Sequence, residues 1–222
     1  MKVKGLLIVT LTLAAAMAAF ALWVAAGLPE GAELPVHWNA AGEVDGTQPA
    51  LQALLIPAGI ALLVGLVFAA IPALEPLQHK LEGSSPVLRV AWIGTLALMI
   101  AIQLMIAGPA LGWEFGVSLL LLVLGLMFVA LGNVLPKSRP GFFVGIRTPW
   151  TIIDTDNWIA THRLGGKLLM LAGAAVVLAA LLPLADSARL ATVLVAVFGA
   201  VLAPVAYSWW LWRNKAHRAP PP

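Results

Sequence analysis

The stretch LQALLIPAGIALLVGLVFAAIPAL, residues 51–74, decides the fold class, because it runs for 24 residues without a charged side chain. An α-helix rises about 1.5 Å per residue, so roughly 20 apolar residues cross the hydrocarbon core of a bilayer. Five similar runs occur elsewhere, at residues 6–28, 90–113, 115–135, 168–185 and 190–212. The sequence therefore predicts an all-α, multi-pass membrane protein with six transmembrane helices.

Composition separates this chain from soluble globular proteins. Of its 222 residues, 61% are hydrophobic and 10% are charged, whereas a soluble domain carries about a quarter charged residues. A globule of this size exposes much of its surface, so this many apolar side chains do not fit in one core. The lack of cysteine excludes disulfides, thiol catalysis, iron–sulfur clusters and thiolate zinc sites. No residue pattern predicts another cofactor.

Lysine and arginine are distributed unequally among the loops, and this predicts orientation because cytoplasmic loops carry the excess of positive charge. If the N-terminus is cytoplasmic, Arg189 is the one basic residue of the outer loops. The basic residues of the inner segments are then Lys2, Lys4, Lys80, Arg89, Lys137, Arg139, Arg147, Arg163, Lys167, Arg213, Lys215 and Arg218. We predict an N-in, C-in topology in a cell membrane, with a basic C-terminal tail at residues 213–222.

Two span boundaries allow another interpretation. The first run follows two lysines, as in a signal peptide, but its apolar length exceeds the usual signal core of about 7–15 residues. We therefore predict a membrane anchor. The third and fourth runs are separated by GPALGWEFG at residues 108–116, whose glycines and proline are typical of a turn. Two helices joined by a tight turn are expected there.

The outer loop, residues 29–50, is rich in turn-forming residues. Its prolines and glycines exclude a long helix and predict a chain of turns. His37 lies near four carboxylates in the sequence, and imidazole with carboxylate suits zinc or manganese, so a metal site is one alternative. The other is a structured turn with a solvated histidine. We favour the second and predict no metal, because no helical spacing brings two ligands together.

The inner loop, residues 136–167, is the most polar connector of the chain. It contains GIRTPWT at residues 145–151, in which Pro149 fixes a turn and biases Thr148 towards an extended conformation. Arg147 follows an apolar segment, so its stem can lie in apolar surroundings while its guanidinium reaches headgroups or a partner. A cation–π contact between Arg147 and Trp150 is expected, worth ~0.5–2 kcal/mol.

A short interfacial helix is predicted at about residues 155–164, between the fourth and fifth spans. Thr151 and Asp154 have the spacing of an N-terminal capping pair, and Asp154 or Thr155 is itself a candidate cap. The two glycines at 165–166 permit either a sharp bend into the fifth span or close packing against another helix.

One face of this short helix carries chemically distinct side chains. Trp158, Thr161 and His162 have the spacing i, i+3 and i+4, and Arg163 lies on the neighbouring stripe. Anchoring at a bilayer boundary is one explanation for the tryptophan and the arginine. The ordered combination of aromatic, hydroxyl and imidazole groups favours a functional contact with a partner or with lipid headgroups.

These motifs resemble the signature of the SdpI family, bacterial multi-spanning immunity proteins. The matching inner-loop residues are Gly145, Ile146, Arg147, Thr148, Pro149, Trp150, Thr151, Trp158, Thr161, His162, Arg163 and Gly166. The outer loop resembles a motif of the uncharacterised domain often found N-terminal in this family, with matching residues Pro35, His37, Asn39, Gly42 and Asp45. Gly141 departs from the pattern, since an asparagine is common there.

The resemblance implies both a division of the chain and a function. Residues 1–74 would form two spans with the outer loop, and residues 75–222 a four-helix region with the signature loop and the tail. Members of the family protect a producing cell from a secreted toxic peptide, and in one branch the toxin-occupied protein recruits a cytoplasmic repressor. The expected partners are the lipid bilayer, a secreted antimicrobial peptide and a cytoplasmic transcriptional repressor. No catalysis and no direct contact with nucleic acid are expected.

A membrane enzyme or small-molecule transporter is the alternative function. His162 could act as a general base beside Asp154 or Asp156, with Arg147 or Arg163 binding an anionic group. The predicted spans hold no ionisable residue at mid-membrane, where ion-coupled carriers place them, and this favours the immunity function. Gln103, in the third span, is expected to donate a hydrogen bond across a helix interface, worth ~0.6–2 kcal/mol.

Overall fold

The computed structural model describes residues 3–39, 41–76 and 78–216, and 78% of it is helical. Within these ranges the elements are α1 (Lys4–Ala26), β1 (Glu33–Trp38), β2 (Val44–Pro49), α2 (Ala50–Leu74), α3 (Gln78–Leu111), α4 (Val117–Val134), α5 (Pro149–Ile153), α6 (Thr155–Leu181) and α7 (Asp186–Ala216). The predicted helical fold class is confirmed. The predicted tail at 213–222 begins inside α7, and its residues 217–222 lie outside the described residues, as does Lys2.

Six of these helices are long and apolar enough to cross a membrane, namely α1, α2, α3, α4, α6 and α7. Their most apolar windows have mean hydropathies of 2.1 to 2.7. Large apolar side chains cover the outside of the bundle, with Leu63 at 62% and Val195 at 74% relative exposure. Such a surface requires lipid as its solvent. The prediction of six membrane-spanning helices is confirmed.

Short connections gather at two ends of the bundle. The hairpin end holds residues 27–49 and the turns after α3 and α6. In the turn after α3, Gly112 has a left-handed φ of 68°. The loop end holds the connection 135–154 and the last turn of α7. The tight turn predicted between the third and fourth spans is present at residues 112–116.

The outer loop is a β-hairpin, so the predicted chain of turns is wrong. β1 and β2 pair antiparallel, with register breaks on both sides of His37. Leu34 is 4% exposed and packs into a cluster contributed by α1, α2 and α3, which seats the hairpin on the helices. The sequence signal for these strands is weak, because Pro35 removes a ladder donor and burial does not alternate along β1, where Leu34 and Pro35 are both buried.

The fifth membrane helix begins at Thr155, which overturns the predicted interfacial helix. Residues 155–164 form the first part of α6, which continues without a break to Leu181. A separate short helix does precede it, at Pro149–Ile153. In the same way α3 begins at Gln78, not at 90, and α7 runs to Ala216, not to 212. An apolar run indicates the part of a helix that crosses lipid. It does not show whether polar turns extend the helix beyond that part.

Two glycine pairs bring α4 and α6 into backbone contact. A Cβ on Gly132 would lie 2.6 Å from the carbonyl oxygen of Gly166, and one on Gly173 would lie 2.5 Å from that of Gly125. The two glycines of each helix are seven positions apart, about two helical turns, so both pairs lie on one face. Such close approach drives helix association in lipid. Of the two roles predicted for Gly166, close packing is correct and the sharp bend is wrong.

Buried polar side chains join the first three helices. Gln103 Nε2 on α3 donates to the carbonyl oxygens of Met17 at 2.8 Å and Leu54 at 3.0 Å. Trp92 Nε1 donates to Thr10 Oγ1 at 2.8 Å. The hydrogen bond predicted for Gln103 across a helix interface is confirmed.

Candidate functional site

A capping box begins α5 inside the signature loop, which is the inner loop of residues 136–167. Thr148 Oγ1 accepts from the backbone N–H of Thr151 at 3.2 Å, and Thr151 Oγ1 accepts from that of Thr148 at 2.9 Å. Pro149 occupies the first helical position, where a missing N–H donor costs nothing. The predicted capping pair of Thr151 with Asp154 is wrong, because Thr151 closes a box that begins three residues before it.

Asp154 is the N-cap of α6, as predicted for one of the two candidates. Its carboxylate accepts from the backbone N–H groups of Asp156 at 3.0 Å and Asn157 at 3.3 Å. Lys215 Nζ, in the last turn of α7, donates to it at 2.9 Å. The hydrogen bond from Lys215 lowers the pKa of Asp154 below its usual 3.8, the N–H groups act in the same direction, and partial desolvation opposes them.

His162 lies in the first part of α6 and is fully buried. Its ring stacks on Trp158 with centroids 4.0 Å apart. Nε2 accepts from the backbone N–H of Ile146 at 2.8 Å, and Nδ1 lies 2.7 Å from the carbonyl oxygen of Trp158. Since a carbonyl only accepts, Nδ1 carries the proton. Gly145 lies directly on this stack with φ 124°, and a Cβ there would lie 2.5 Å from Nε2, so the position requires glycine.

A second set of hydrogen bonds joins α5 and α6 to α7. Thr161 Oγ1 donates to Asn157 Oδ1 at 3.0 Å, and Asn157 Nδ2 donates to the carbonyl oxygen of Ser208 at 2.9 Å. Trp150 Nε1 donates to Ser208 Oγ at 2.6 Å. Asn157 was missed as a site residue, although its i, i+4 relation to Thr161 was a readable signal.

The predicted cation–π contact between Arg147 and Trp150 is wrong. Trp150 instead stacks on Trp212 of α7, with ring centroids 5.7 Å apart. The Arg147 guanidinium donates to the carbonyl oxygen of Phe142. The turn at Pro149 directs the indole towards α7, and Arg147 remains with the loop that precedes it.

Glu75, at the C-terminus of α2, was not singled out in the sequence and proves to hold the signature loop. It is 2% exposed. Its carboxylate accepts from the backbone N–H of Phe142 at 3.0 Å and from that of Phe143 at 3.1 Å. One acidic residue at the end of an apolar run is typical of a membrane boundary, so the sequence held no signal for this contact.

Serine side chains fix the first part of the same loop. Ser84 Oγ on α3 accepts from the backbone N–H of Arg139 at 2.9 Å. Trp158 Nε1 donates to the carbonyl oxygen and to Oγ of Ser138, both at 3.2 Å. The loop therefore rests on α2, α3 and α6 at once.

The signature residues divide into an interior set and a surface set. Thr148, Thr151, Trp158, Thr161, His162 and Gly166 are buried. Arg147, Pro149 and Arg163 are exposed, and Trp150 is half-buried. The predicted common face of Trp158, Thr161 and His162 exists, and it is buried in the protein interior.

The outer-loop motif builds the hairpin and its surface. His37 Nδ1 lies 2.5 Å from Asp45 Oδ1, and the two side chains are 72% and 44% exposed. Asn39 Oδ1 accepts from two backbone N–H groups of the turn, in which Gly42 has φ 83°. Pro35 is buried in β1. Among the described residues, no group of three or more histidine or acidic side chains is placed to hold a metal ion.

Both polar loops lie in regions that match known protein families. Residues 137–208 match the sequence model of the SdpI/YfhL protein family, and residues 12–71 match that of a domain of unknown function (DUF1648). The chain is 26% identical over 147 residues to Immunity protein SdpI of Bacillus subtilis (strain 168), which covers 66% of this chain and 67% of the relative. The predicted relationship to the SdpI family is confirmed. No solved structure gives a significant match.

The family matches map onto distinct parts of the fold. The SdpI/YfhL region spans the signature loop, α5, α6 and most of α7, and the domain of unknown function spans most of α1, the hairpin and most of α2. Glu75 and Ser84 lie between the two matched regions. Six membrane-spanning helices together with the SdpI relationship make this a multi-pass protein of the cell membrane.

Proposed function

We propose that this protein protects a bacterial cell against a secreted antimicrobial peptide. The observation that carries the proposal is the 26% identity, over 147 residues, to a relative named Immunity protein SdpI. We propose that it acts by binding and not by catalysis. The signature loop suits that role, because its polar groups bond to one another and hold a fixed loop shape.

The bonding of His162 disfavours the alternative, a membrane enzyme or transporter. A general base needs a lone pair within reach of the proton that it removes. The lone pair of Nε2 is used by Ile146, and the ring is fully buried. Asp154 and Asp156, the carboxylates considered as its partners, face Lys215 at 2.9 Å and 3.9 Å.

The proposal includes the N-in, C-in topology, with the hairpin end outside the cell and the loop end in the cytoplasm. The lack of cysteine makes this testable with single-cysteine variants. Thr47→Cys on the hairpin should react with a membrane-impermeant maleimide in intact cells, and Phe143→Cys should react only after permeabilisation. The reverse pattern would contradict the topology.

Complementation tests the protective function directly. The chain is expressed in a Bacillus subtilis strain that lacks Immunity protein SdpI, and survival is measured while the strain produces its own toxin. We expect wild-type protein to restore survival and Arg147→Ala to fail at equal membrane abundance. Lys137→Ala, a basic residue of the same loop outside the motif, is the matched control and should protect. Equal killing with and without wild-type protein would contradict the proposal.

Recruitment of a cytoplasmic repressor is the finer part of the proposal. It is supported by Phe142 and Phe143, which are 46% and 38% exposed at the loop end although the backbone beneath them is fixed by Glu75. Rigid exposed aromatic side chains are typical contact residues of protein interfaces. If a helix-turn-helix repressor is encoded beside this protein, it should co-purify with the membranes during toxin exposure, and Phe143→Ala should abolish the co-purification. Equal recovery with Phe143→Ala would contradict this contact.

A further inference from the structure

An apolar cleft opens at the hairpin end, where α1 ends and α2 begins. It has a volume of about 470 Å³ and is walled by Leu22, Ala26, Leu28, Glu30, Pro49 and Leu51, among others. Ligand pockets in proteins commonly measure roughly 300–1,000 Å³. Leu22 is 56% exposed and Leu51 is 39% exposed, so the apolar wall is open. The whole cleft lies inside residues 12–71, which match a domain of unknown function.

Glu30 is the charged group on the wall of this cleft. The other three carboxylates of the hairpin have partners within it: Glu33 accepts from Thr47, Glu43 from Asn39, and Asp45 pairs with His37. For Glu30, which is exposed, the described part of the chain supplies neither a hydrogen bond nor an ion pair.

The charge around the cleft is of one sign. No lysine or arginine occurs between Lys4 and Lys80, and the charged residues of the connection between α1 and α2 are Glu30, Glu33, Glu43 and Asp45. Arg189, in the first turn of α7 at the same end of the bundle, donates to Asp186 at 2.8 Å. An anionic lipid headgroup or an acidic peptide would be repelled from this surface, whereas a cationic ligand would be attracted.

We propose that this cleft is the docking site of a cationic amphipathic peptide. Its apolar side chains would enter between α1 and α2, and a lysine or arginine at the edge would pair with Glu30. This is the groove mode of peptide recognition, in which apolar anchors supply affinity and a charge at the rim fixes orientation. The site assigns a role to the domain of unknown function. It rests on the proposed function only in identifying the peptide with the secreted toxin.

The test measures binding of a dye-labelled 18-residue helical peptide of leucine and lysine to the purified full chain in phosphatidylcholine nanodiscs. Empty nanodiscs give the background. Glu30→Gln should weaken binding about 2- to 5-fold, the range of one exposed ion pair. Ala26→Trp, which places an indole in the cleft, should weaken it roughly tenfold or more.

Matched controls separate this cleft from the rest of the surface. Glu114→Gln removes an exposed carboxylate from another turn of the same end, and Leu182→Trp adds an indole away from the cleft. Both should bind as wild type does. A leucine–glutamate peptide of the same pattern should not bind above background. Circular dichroism and thermal melting confirm that each variant is folded, and Glu30→Gln, a surface change, remains informative if Ala26→Trp unfolds.

Three results would overturn the inference: binding no stronger than to empty nanodiscs, equal binding of both peptides, and wild-type affinity in both cleft variants. Equal binding of the two peptides would mark an apolar groove for lipid chains. The complementation assay keeps this result apart from the proposed function. Protection without peptide binding would refute the docking site but not the proposed function. Peptide binding without protection would refute the proposed function but not the docking site.

Discussion

Glu75 Oε2 accepts the backbone N–H of Phe142 at 3.0 Å and that of Phe143 at 3.1 Å, so one buried carboxylate holds two successive residues of the signature loop. We call these two hydrogen bonds the Glu75 clamp. Glu75 directly follows α2, and Ala50, the first residue of α2, directly follows the hairpin. A single helix of roughly 37 Å therefore joins the hairpin to the Glu75 clamp on the loop. Any rigid-body shift of α2 at one end of the bundle is carried to the other.

Glu75→Gln should loosen the loop without unfolding the bundle. Hydrogen bonds to a charged acceptor contribute about 1.5–3 kcal/mol, and the neutral amide retains one accepting oxygen in place of two. We expect faster maleimide labelling of Phe143→Cys in the Glu75→Gln background and a lower thermal midpoint. Glu82→Gln changes an exposed carboxylate on the adjacent helix and is the matched control. Identical labelling rates of Phe143→Cys in the wild-type, Glu75→Gln and Glu82→Gln backgrounds would refute the Glu75 clamp.

The membrane helices were predictable from sequence because lipid imposes a simple requirement on each of them. A run such as residues 51–74 must be apolar throughout, and its length follows from the thickness of the bilayer. Gln103 was predictable for the same reason, since a buried amide in lipid must find a partner on another helix. Local capping chemistry identified Asp154.

The candidate site was less predictable because its contacts join residues far apart in the chain. Glu75 and Phe142 are separated by 67 positions, and Trp150 and Ser208 by 58. The expected contact of Arg147 with Trp150 followed from their proximity in sequence, but the proline turn separates them and α7 supplies the aromatic partner. The face of Trp158 and His162 was assigned correctly, but its burial depended on where α6 begins.

His162→Leu should destabilise the protein by about 1–3 kcal/mol, because the N–H of Ile146 would be buried without an acceptor. The measurement is the free energy of unfolding in detergent, obtained by SDS titration. His37→Leu, at a side chain that is 72% exposed, should change it by no more than about 0.5 kcal/mol. His162→Gln supplies an acceptor again and should recover part of the loss. A His162→Leu variant as stable as wild type would show that the bond to Ile146 carries no energy.

Gly132→Ala should be more destabilising than an ordinary helical substitution. The added Cβ would lie 2.6 Å from the carbonyl oxygen of Gly166, so α4 and α6 must separate. Overpacking of this kind costs about 1–3 kcal/mol. Gly59→Ala is the matched control within a membrane helix, since nothing lies within 4 Å of its Cβ, and higher helix propensity should stabilise it by up to about 1 kcal/mol. Thermal midpoints that move in the same direction for both variants would contradict the backbone contact.

The pair of Asp154 with Lys215 should make stability depend on pH on the acid side. The native pKa of Asp154 is lowered, so the unfolded state binds the proton more readily. The contribution of the pair is therefore complete above the usual pKa of 3.8 and is lost as pH falls through the lowered native value. Asp154→Asn keeps an N-cap acceptor and removes the charge. We expect the wild-type thermal midpoint to exceed that of Asp154→Asn at neutral pH and to converge with it below about pH 3.8.

Lys215→Met tests the same pair from the side of α7 without touching the cap of α6. Its thermal midpoint should fall at neutral pH and should meet that of wild type over the same acid range. The double variant Asp154→Asn, Lys215→Met should be no less stable than the less stable single variant, because either change alone removes the interaction between Asp154 and Lys215. A constant offset between wild type and Asp154→Asn at every pH would contradict the charge pair, because an effect of the carboxylate charge must disappear when Asp154 is protonated.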